Sequence, residues 1–377
     1  MKNFCLNLRF TLFISFLLFS NLSNTSLGQI NIGDKISLLF IGDIMGHDDQ
    51  ILAAKDTVNN TYNYNDVFRY IKPVISEADI AIANFEATLA GPPYKGYPQF
   101  SSPAELAVAC RDAEINCFVT ANNHVADRGK RGIISTINKL DSIGILHTGS
   151  FLNSACRDSL SPLMINSNGA SIALLNYTYG TNGIEIPIPV IVNPLDMGLI
   201  TSDIEKARNN HADIIILFLH WGTEYDTIPG KEQIDLTEYF FSIGADLVIG
   251  SHPHVLQKMI WTNNPVDGKD NIVVYSLGNF VSNQRKTGTD GGSMVRIDFT
   301  RNGNKFNIEK AEYFLTWVYT PIENHKKKYY ILPCSEYENR LDFFSNPDDY
   351  IQMKRFSINS RKFLNRQNIN IKEYINK

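Results

Sequence analysis

The stretch "GSHPHVLQ" (250–257) sets His252 and His254 on either side of Pro253, directly behind the apolar run "DLVIG" (246–250). Proline fixes its own backbone angle and marks a turn, and paired imidazoles at a turn can ligate metal ions or carry protons near neutral pH. Other apolar runs stop in the same way. "KISLLFIG" (35–42) ends at Asp43, "DIAIANF" (79–85) carries Asn84 and leads to Glu86, and "NCFVTA" (116–121) runs into Asn122, Asn123 and His124. "DIIILFL" (213–219) stops at His220 and Trp221, and "NIVVYSL" (271–277) at Gly278 and Asn279. Imidazole, carboxylate and amide carbonyl together form the ligand set of borderline divalent ions such as manganese, zinc or iron. Taken as one shell, Asp43, Glu86, Asn123, His220, His252 and His254 carry only two negative charges. Two divalent ions there would leave a positive centre that draws an anionic oxygen, and paired ions acidify a water and clamp attacking and leaving oxygens.

Each residue taken singly has a plainer role. Asp43 could cap a following helix, Asn84 and Glu86 could be turn residues, Asn122 and Asn123 could make a left-handed turn, and His220 could be a core histidine. Trp221 and Tyr225 either line a substrate groove or pack, and Asn84 and Asn279 either contact substrate or serve only their turns. What favours a site is concurrence, since ligands of open α/β sheets bind outside the carboxyl ends of the strands.

The elements that must position these residues alternate along the chain. The runs above, with "ASIALLNY" (170–177) and "SMVRIDF" (293–299), read as strands. Between them "DVFRYIKPVISEA", "SPAELAVACRDAEI", "KRGIISTINKLDSIG", "TSDIEKARNNHA" and "EQIDLTEYFFSIG" have helical spacing. The class is α/β, with no internal repeat and no low-complexity linker. At 377 residues and 44% hydrophobic content the chain can bury a large core. Its 35 basic and 39 acidic residues, without long blocks of one sign, exclude a basic nucleic-acid surface.

Lys2 and Arg9 precede the apolar "FTLFISFLLF", and polar residues ending in small ones follow. This layout predicts a signal peptide over residues 1–28, hence export to a periplasmic or other extracytoplasmic location, free or membrane-associated. Cleavage would leave Cys110, Cys117, Cys156 and Cys334, with no C-x-x-C pair; disulfides and buried thiols both stay open.

"GDIM" (42–45), "NFEATL" (84–89), "ANNHVADRG" (121–129), "HWGTEY" (220–225), "GSHPHVLQ" (250–257) and "YSLGNFV" (275–281) resemble the ordered motifs of the CapA/PgsA poly-gamma-glutamate capsule synthesis family. The resemblance covers about residues 36–300. It implies kinship with calcineurin-like metallophosphoesterases and a four-layer αββα sandwich spanning residues 29–320, with residues 321–377 as an extension packed on or near it. It also implies one or two metal ions on the six-residue shell named above, and His124 as general acid toward the leaving oxygen. Asp127, three residues on, is our candidate to orient His124. One departure stands out: such enzymes open with Asp-x-His, whereas this chain has Asp43-Ile44-Met45, and a thioether is a weak ligand for hard ions. His47 is the neighbouring imidazole that could substitute. Two functions follow as expectations. One is a metal-dependent hydrolase of phosphoesters or other anionic bonds; the other is a non-catalytic factor that binds an anionic envelope polymer beside membrane-associated synthesis proteins.

Overall fold

The computed structural model describes residues 35–263 and 268–375, so the expected signal peptide at 1–28 lies outside the described residues. The strands used below are β1 (Lys35–Ile44), β2 (Ile80–Phe85), β3 (Cys117–Val119), β4 (Leu146–Thr148), β5 (Leu163–Ser167), β6 (Ala170–Thr178), β7 (Ile214–His220) and β8 (Leu247–Ser251). They continue with β9 (Met259–Asn263), β10 (Asp270–Val274), β11 (Asn279–Val281), β12 (Gly291–Asn302), β13 (Lys305–Tyr319), β14 (Tyr330–Pro333) and β15 (Lys372–Glu373). The main helices are α1 (Asp48–Ala54), α2 (Glu105–Asp112), α3 (Gly129–Ile143), α4 (Met197–Asn209), α5 (Lys231–Ser242) and α6 (Pro347–Gln367).

These strands form two sheets. The first runs β14-β13-β12-β1-β2-β3-β4, with β11 also on β1 and β15 on β13; the second runs β9-β10-β8-β7-β6-β5. Strands β1 to β4 are parallel, as are β6, β7, β8 and β10. Parallel strands covered on both faces need near-continuous apolar sequence. "IIILFLH" of β7 is buried throughout, and so is "IAIANF" of β2.

Alternation along each strand sends one set of side chains inward and the other outward. Leu38, Phe40, Ile82 and Val119 meet Leu174, Ile216, Phe218 and Ile249 between the sheets. On the outer face of the first sheet Leu39, Ile41 and Ala83 pack with Leu106 of α2 and Leu140 of α3. Outside the second sheet Leu175, Leu217 and Val248 pack with Ile200 and Ile204 of α4 and Phe240 of α5. The layers are therefore helix, sheet, sheet, helix: the four-layer αββα sandwich. The helices follow their sequence signals. Buried Ile133, Thr136, Ile137 and Leu140 recur at helical spacing in α3, which ends at left-handed Gly144. The Asp196 side chain accepts the Leu199 N–H to start α4.

One expected helix is corrected. "DVFRYIKPVISEA" splits into a 3-10 turn at Asn65–Phe68 and a short helix at Lys72–Ile75, because Pro73 lacks an N–H and fits only in a first turn. The segment beyond residue 320 is woven into the first sheet through β14 and β15, and Met353, Phe356 and Leu364 of α6 join the inter-sheet core. Cys110, Cys117, Cys156 and Cys334 are buried, and no disulfide links them. Among the described residues no helix is long and apolar enough to cross a membrane.

Candidate metal centre

The parallel ends of both sheets open on one rim. Asp43, next to last in β1, lies in register with Asn84 of β2 on one side and Asn279 of β11 on the other. The backbone there is tightly drawn in: Asp43 N–H donates to Gly278 O at 3.1 Å, and a Cβ on Gly42 would sit 2.1 Å from that same oxygen. Only glycine fits at residue 42.

Asp43, Glu86 and His220 bring ligand atoms within 4.8 Å of one another, and all three are buried. Asn84 ties them together. Its amide donates to Asp43 Oδ1 at 2.7 Å and reaches His220 Nδ1 at 3.3 Å and Glu86 Oε2 at 3.5 Å. Asn122 donates to Asn84 Oδ1 at 3.4 Å and to Phe85 O at 2.9 Å, so the asparagine itself is fixed. His220 Nε2 lies 3.0 Å from Asn123 Oδ1 and 3.9 Å from Glu86 Oε1, and its Nδ1 lies 3.1 Å from Ser251 Oγ; with the proton at Nδ1 donated to that hydroxyl, Nε2 is the nitrogen left facing the cluster.

The two histidines of the His-Pro-His turn both face this cluster. His252 has φ 101° and His254 φ 59°, left-handed conformations that a non-glycine residue holds only under constraint. His254 Nδ1 lies 3.0 Å from Asn279 Oδ1 and 3.2 Å from Asp43 Oδ2, and its Nε2 is 3.8 Å from Glu86 Oε1. With the proton held at Nδ1 by Asn279 Oδ1, Nε2 is the nitrogen left to ligate. The His252 ring centroid is 4.7 Å from that of His220 and 4.6 Å from the half-exposed Tyr179.

A second pair adjoins the cluster. His124 Nδ1 is 2.8 Å from Asp127 Oδ2, and that oxygen also accepts the Phe100 N–H at 2.7 Å. The Phe100 ring meets the His124 ring edge-on at 4.6 Å. His124 Nε2 thereby points to the cluster, 4.0 Å from Glu86 Oε1.

Burial, then the neighbouring Asp43 carboxylate, holds the Glu86 carboxyl well above its usual range. Burial, then His252, pushes His220 well down, and burial, then His254, pushes His252 down to about 3. The His220 and His252 imidazoles are thus in their neutral, ligating form at neutral pH. Asp43 Oδ2, Glu86 Oε1 and His252 Nδ1 are buried and make no hydrogen bond. Buried polar atoms are normally satisfied, and such atoms facing one another across a carboxylate and imidazole cluster fit a divalent ion.

Other expected residues are placed differently. Trp221, a candidate to line a groove, follows His220 and so faces the opposite way: it is 1% exposed, stacks on Tyr275 and donates to Tyr275 O at 3.0 Å in the outer core. Asn84 and Asn279, candidates to touch substrate, are fully buried. Both instead brace side chains of the cluster, Asn84 at Asp43 and Asn279 at His254, with Asn279 further locked by donating to Thr289 O at 2.8 Å. Met45 is buried in the helix-side core beyond the first sheet. His47 Nδ1 accepts the Asn283 N–H at 3.3 Å, and its ring packs on Phe100 at 5.3 Å. Of the rim, sequence reasoning picks out Tyr225 alone. Tyr97, Tyr179 and Tyr225 are exposed aromatics in ring contact with His124, His252 and His254 respectively. Exposed tyrosines in loops carry no periodic signal, and only the fold brings these three to one mouth.

The fold and site define an αββα protein with a buried carboxylate and histidine centre at the joint strand ends. The chain belongs to the bacterial capsule synthesis protein PGA_cap family, whose profile matches residues 37–284. It is 30% identical over 284 residues to the capsule biosynthesis protein CapA of Bacillus anthracis, covering 72% of this chain and 65% of that protein. The match therefore spans less than two thirds of that relative's length. The PGA biosynthesis protein CapA of Bacillus subtilis (strain 168) is 29% identical over 304 residues, 78% of this chain and 73% of that one. Among solved structures, the calcineurin-like phosphoesterase YfkN from Bacillus subtilis superposes at a TM-score of 0.43 with 12% identity, over 88% of this chain and 98% of that one. That likeness is too loose to bear on chemistry.

Proposed function

We infer that this is an exported, metal-dependent hydrolase that acts on a phosphoester or another anionic bond in envelope material, within capsule-type polymer metabolism. One observation carries the reading: unpartnered Asp43 Oδ2 and Glu86 Oε1 face His220 and His254, with the His124–Asp127 pair alongside. Asp43, Glu86, Asn123, His220, His252 and His254 would hold one or two divalent ions of manganese, zinc or iron. When bound, such ions acidify a water and neutralise charge on the reacting oxygens.

The chain's own residues do the rest. Asp127, held by the Phe100 N–H, fixes His124 with its proton at Nδ1, so that Nε2 faces the cluster. A proton on that Nε2 passes to the leaving oxygen as its bond breaks, and the Asp127 carboxylate stabilises the imidazolium beforehand. Asn84 keeps the two carboxylates apart and oriented, and burial of the cluster excludes bulk water. Export rests on the signal-peptide layout of residues 1–28. Substrate class rests on kinship with relatives named for capsule and PGA biosynthesis. Membrane-associated polymer synthesis proteins would be the neighbours of such a factor.

The test is to purify residues 29–377, measure bound metal, and assay an aryl phosphomonoester and diester with added manganese or zinc. Stoichiometric metal and turnover that disappear together in His252→Ala bear the reading out; metal with no turnover sinks it. The latter result belongs to a second reading, a non-catalytic factor that grips an anionic polymer. Its support is Met45, buried in the helix-side core where an Asp-x-His pattern would supply another ligand.

A further inference from the structure

Outside the centre, the loop after β11 and the helix α6 enclose a cleft of about 130 Å³. Arg285 and Lys286 line it from the loop, and Gln352, Arg355 and Asn359 from one face of α6. That helix lies beyond the family match at 37–284. The cleft is rigidly floored: Phe356 is buried and packs so closely on β12 that a Cβ on Gly291 would sit 2.8 Å from its ring.

Among the described residues, none of the three cations makes an ion pair within 4.0 Å. The acids that act on Arg285 are occupied or stand further off. Asp290 accepts from Trp317 Nε1 at 2.7 Å, Asp49 pairs with Lys327 at 3.1 Å, and Asp349 begins α6. Three cations and two side-chain amides against one lining carboxylate leave the cleft positive in a chain whose formal charge is −4. Arg285 also donates to Gln284 O at 3.0 Å, which leaves further guanidinium N–H groups, and guanidinium and amide donors bind oxyanions.

The cleft also connects to the centre. Lys286 Nζ sits 4.1 Å from the Tyr225 ring centroid, and the Tyr225 ring lies 6.2 Å from that of His254. A chain with a charge at each repeat could occupy the centre and the cleft together, passing over Tyr225.

We propose that the cleft between the 285–290 loop and α6 is an anion subsite that holds a flanking carboxylate or phosphate of a linear polyanion reaching the metal centre. It rests on the proposed function for the identity of the polymer, not for the existence of the cleft. A cavity of this size takes one such group with about two or three retained waters.

The test uses the full chain and fluorescence anisotropy with two probes, a labelled linear glutamate oligomer and a labelled polyphosphate of similar length. Arg355→Glu and Lys286→Glu should each weaken binding by about tenfold, and added salt should weaken the wild type. Arg355→Lys should keep most of the affinity if charge alone matters, while equal loss there assigns the guanidinium fork. The probe that binds identifies carboxylate or phosphate as the ligand. Unchanged affinity in both charge reversals, or no saturable binding of either probe to the wild type, overturns the proposal. Metal content is read separately: a wild type without metal would defeat the proposed function and leave the anisotropy comparison intact.

Discussion

His124 Nδ1 lies 2.8 Å from Asp127 Oδ2, and the carboxylate is pinned from behind by the Phe100 N–H. An imidazole held by one nitrogen presents the other in a fixed direction, which a proton donor needs. His124→Ala should lower turnover of an alkyl phosphoester by about 10²–10⁴-fold. It should cost much less with a nitrophenyl ester, whose leaving group needs no proton. Asp127→Asn should lose about 10–100-fold and leave metal content intact. Steady-state kinetics on the two ester classes, with metal analysis of each variant, checks both; equal losses on both esters would remove His124 from the proton-donor role.

Glu86 and Asp43 face each other in a buried cluster, and the raised Glu86 pKa means that its ionised form is unwelcome without a cation. The stability a raised carboxyl supplies is complete below its unfolded value near 4.5 and lost as pH rises. Glu86→Gln should therefore stabilise the chelator-treated protein at pH 7, by about 1 kcal/mol or more. In a domain this large that is roughly 1–2 °C in Tm. Added manganese or zinc should raise the wild-type Tm and leave that of Glu86→Gln unmoved. Calorimetry with and without chelator measures both effects.

Burial first, then the charges of His254 and His124, lowers His47 to about 4, against an opposing hydrogen bond that the protonated ring donates to Gln50 Oε1. A depressed histidine keeps full stability above its unfolded value near 6.5 and loses it as pH falls toward about 4, by at most about 1.4 kcal/mol per unit. Urea midpoints of the chelator-treated protein should fall over that window, and His47→Gln should make the fall shallower by one proton. An identical slope in wild type and variant would remove His47 from the acid response.

Gly42→Ala would press a methyl into Gly278 O. Expected are a loss of about 1–3 kcal/mol and a drop in metal affinity, because Asp43 follows directly. Chemical denaturation and metal titration read the two effects. A destabilised variant with undiminished metal affinity would separate Asp43 from the glycine contact.

The sandwich was legible because parallel buried strands must be apolar throughout, and "KISLLFIG" and "DIIILFL" are unmistakable in that respect. The convergence of Asp43, Glu86 and His220 followed from where those runs stop. Period two could also have turned Trp221 away from His220, since neighbours on a strand face opposite sides. The supporting roles of Asn84 and Asn279 were not legible, because whether an amide meets substrate or braces a ligand depends on partners far off in sequence. Nor was the split at Pro73 visible in an apolar spacing that ignored the missing N–H. The seating of α6 on the inter-sheet core lay beyond local pattern altogether.

The donors come from both leaves of the molecule: Asp43, Glu86 and Asn123 from the first sheet's ends, His220 and His252 from the second's. An ion gripped by all of them would act as a rivet through the sandwich. Stripping it should loosen the two leaves together, so that proteolytic nicking would spread to sites on both rather than staying with the loops around the rim.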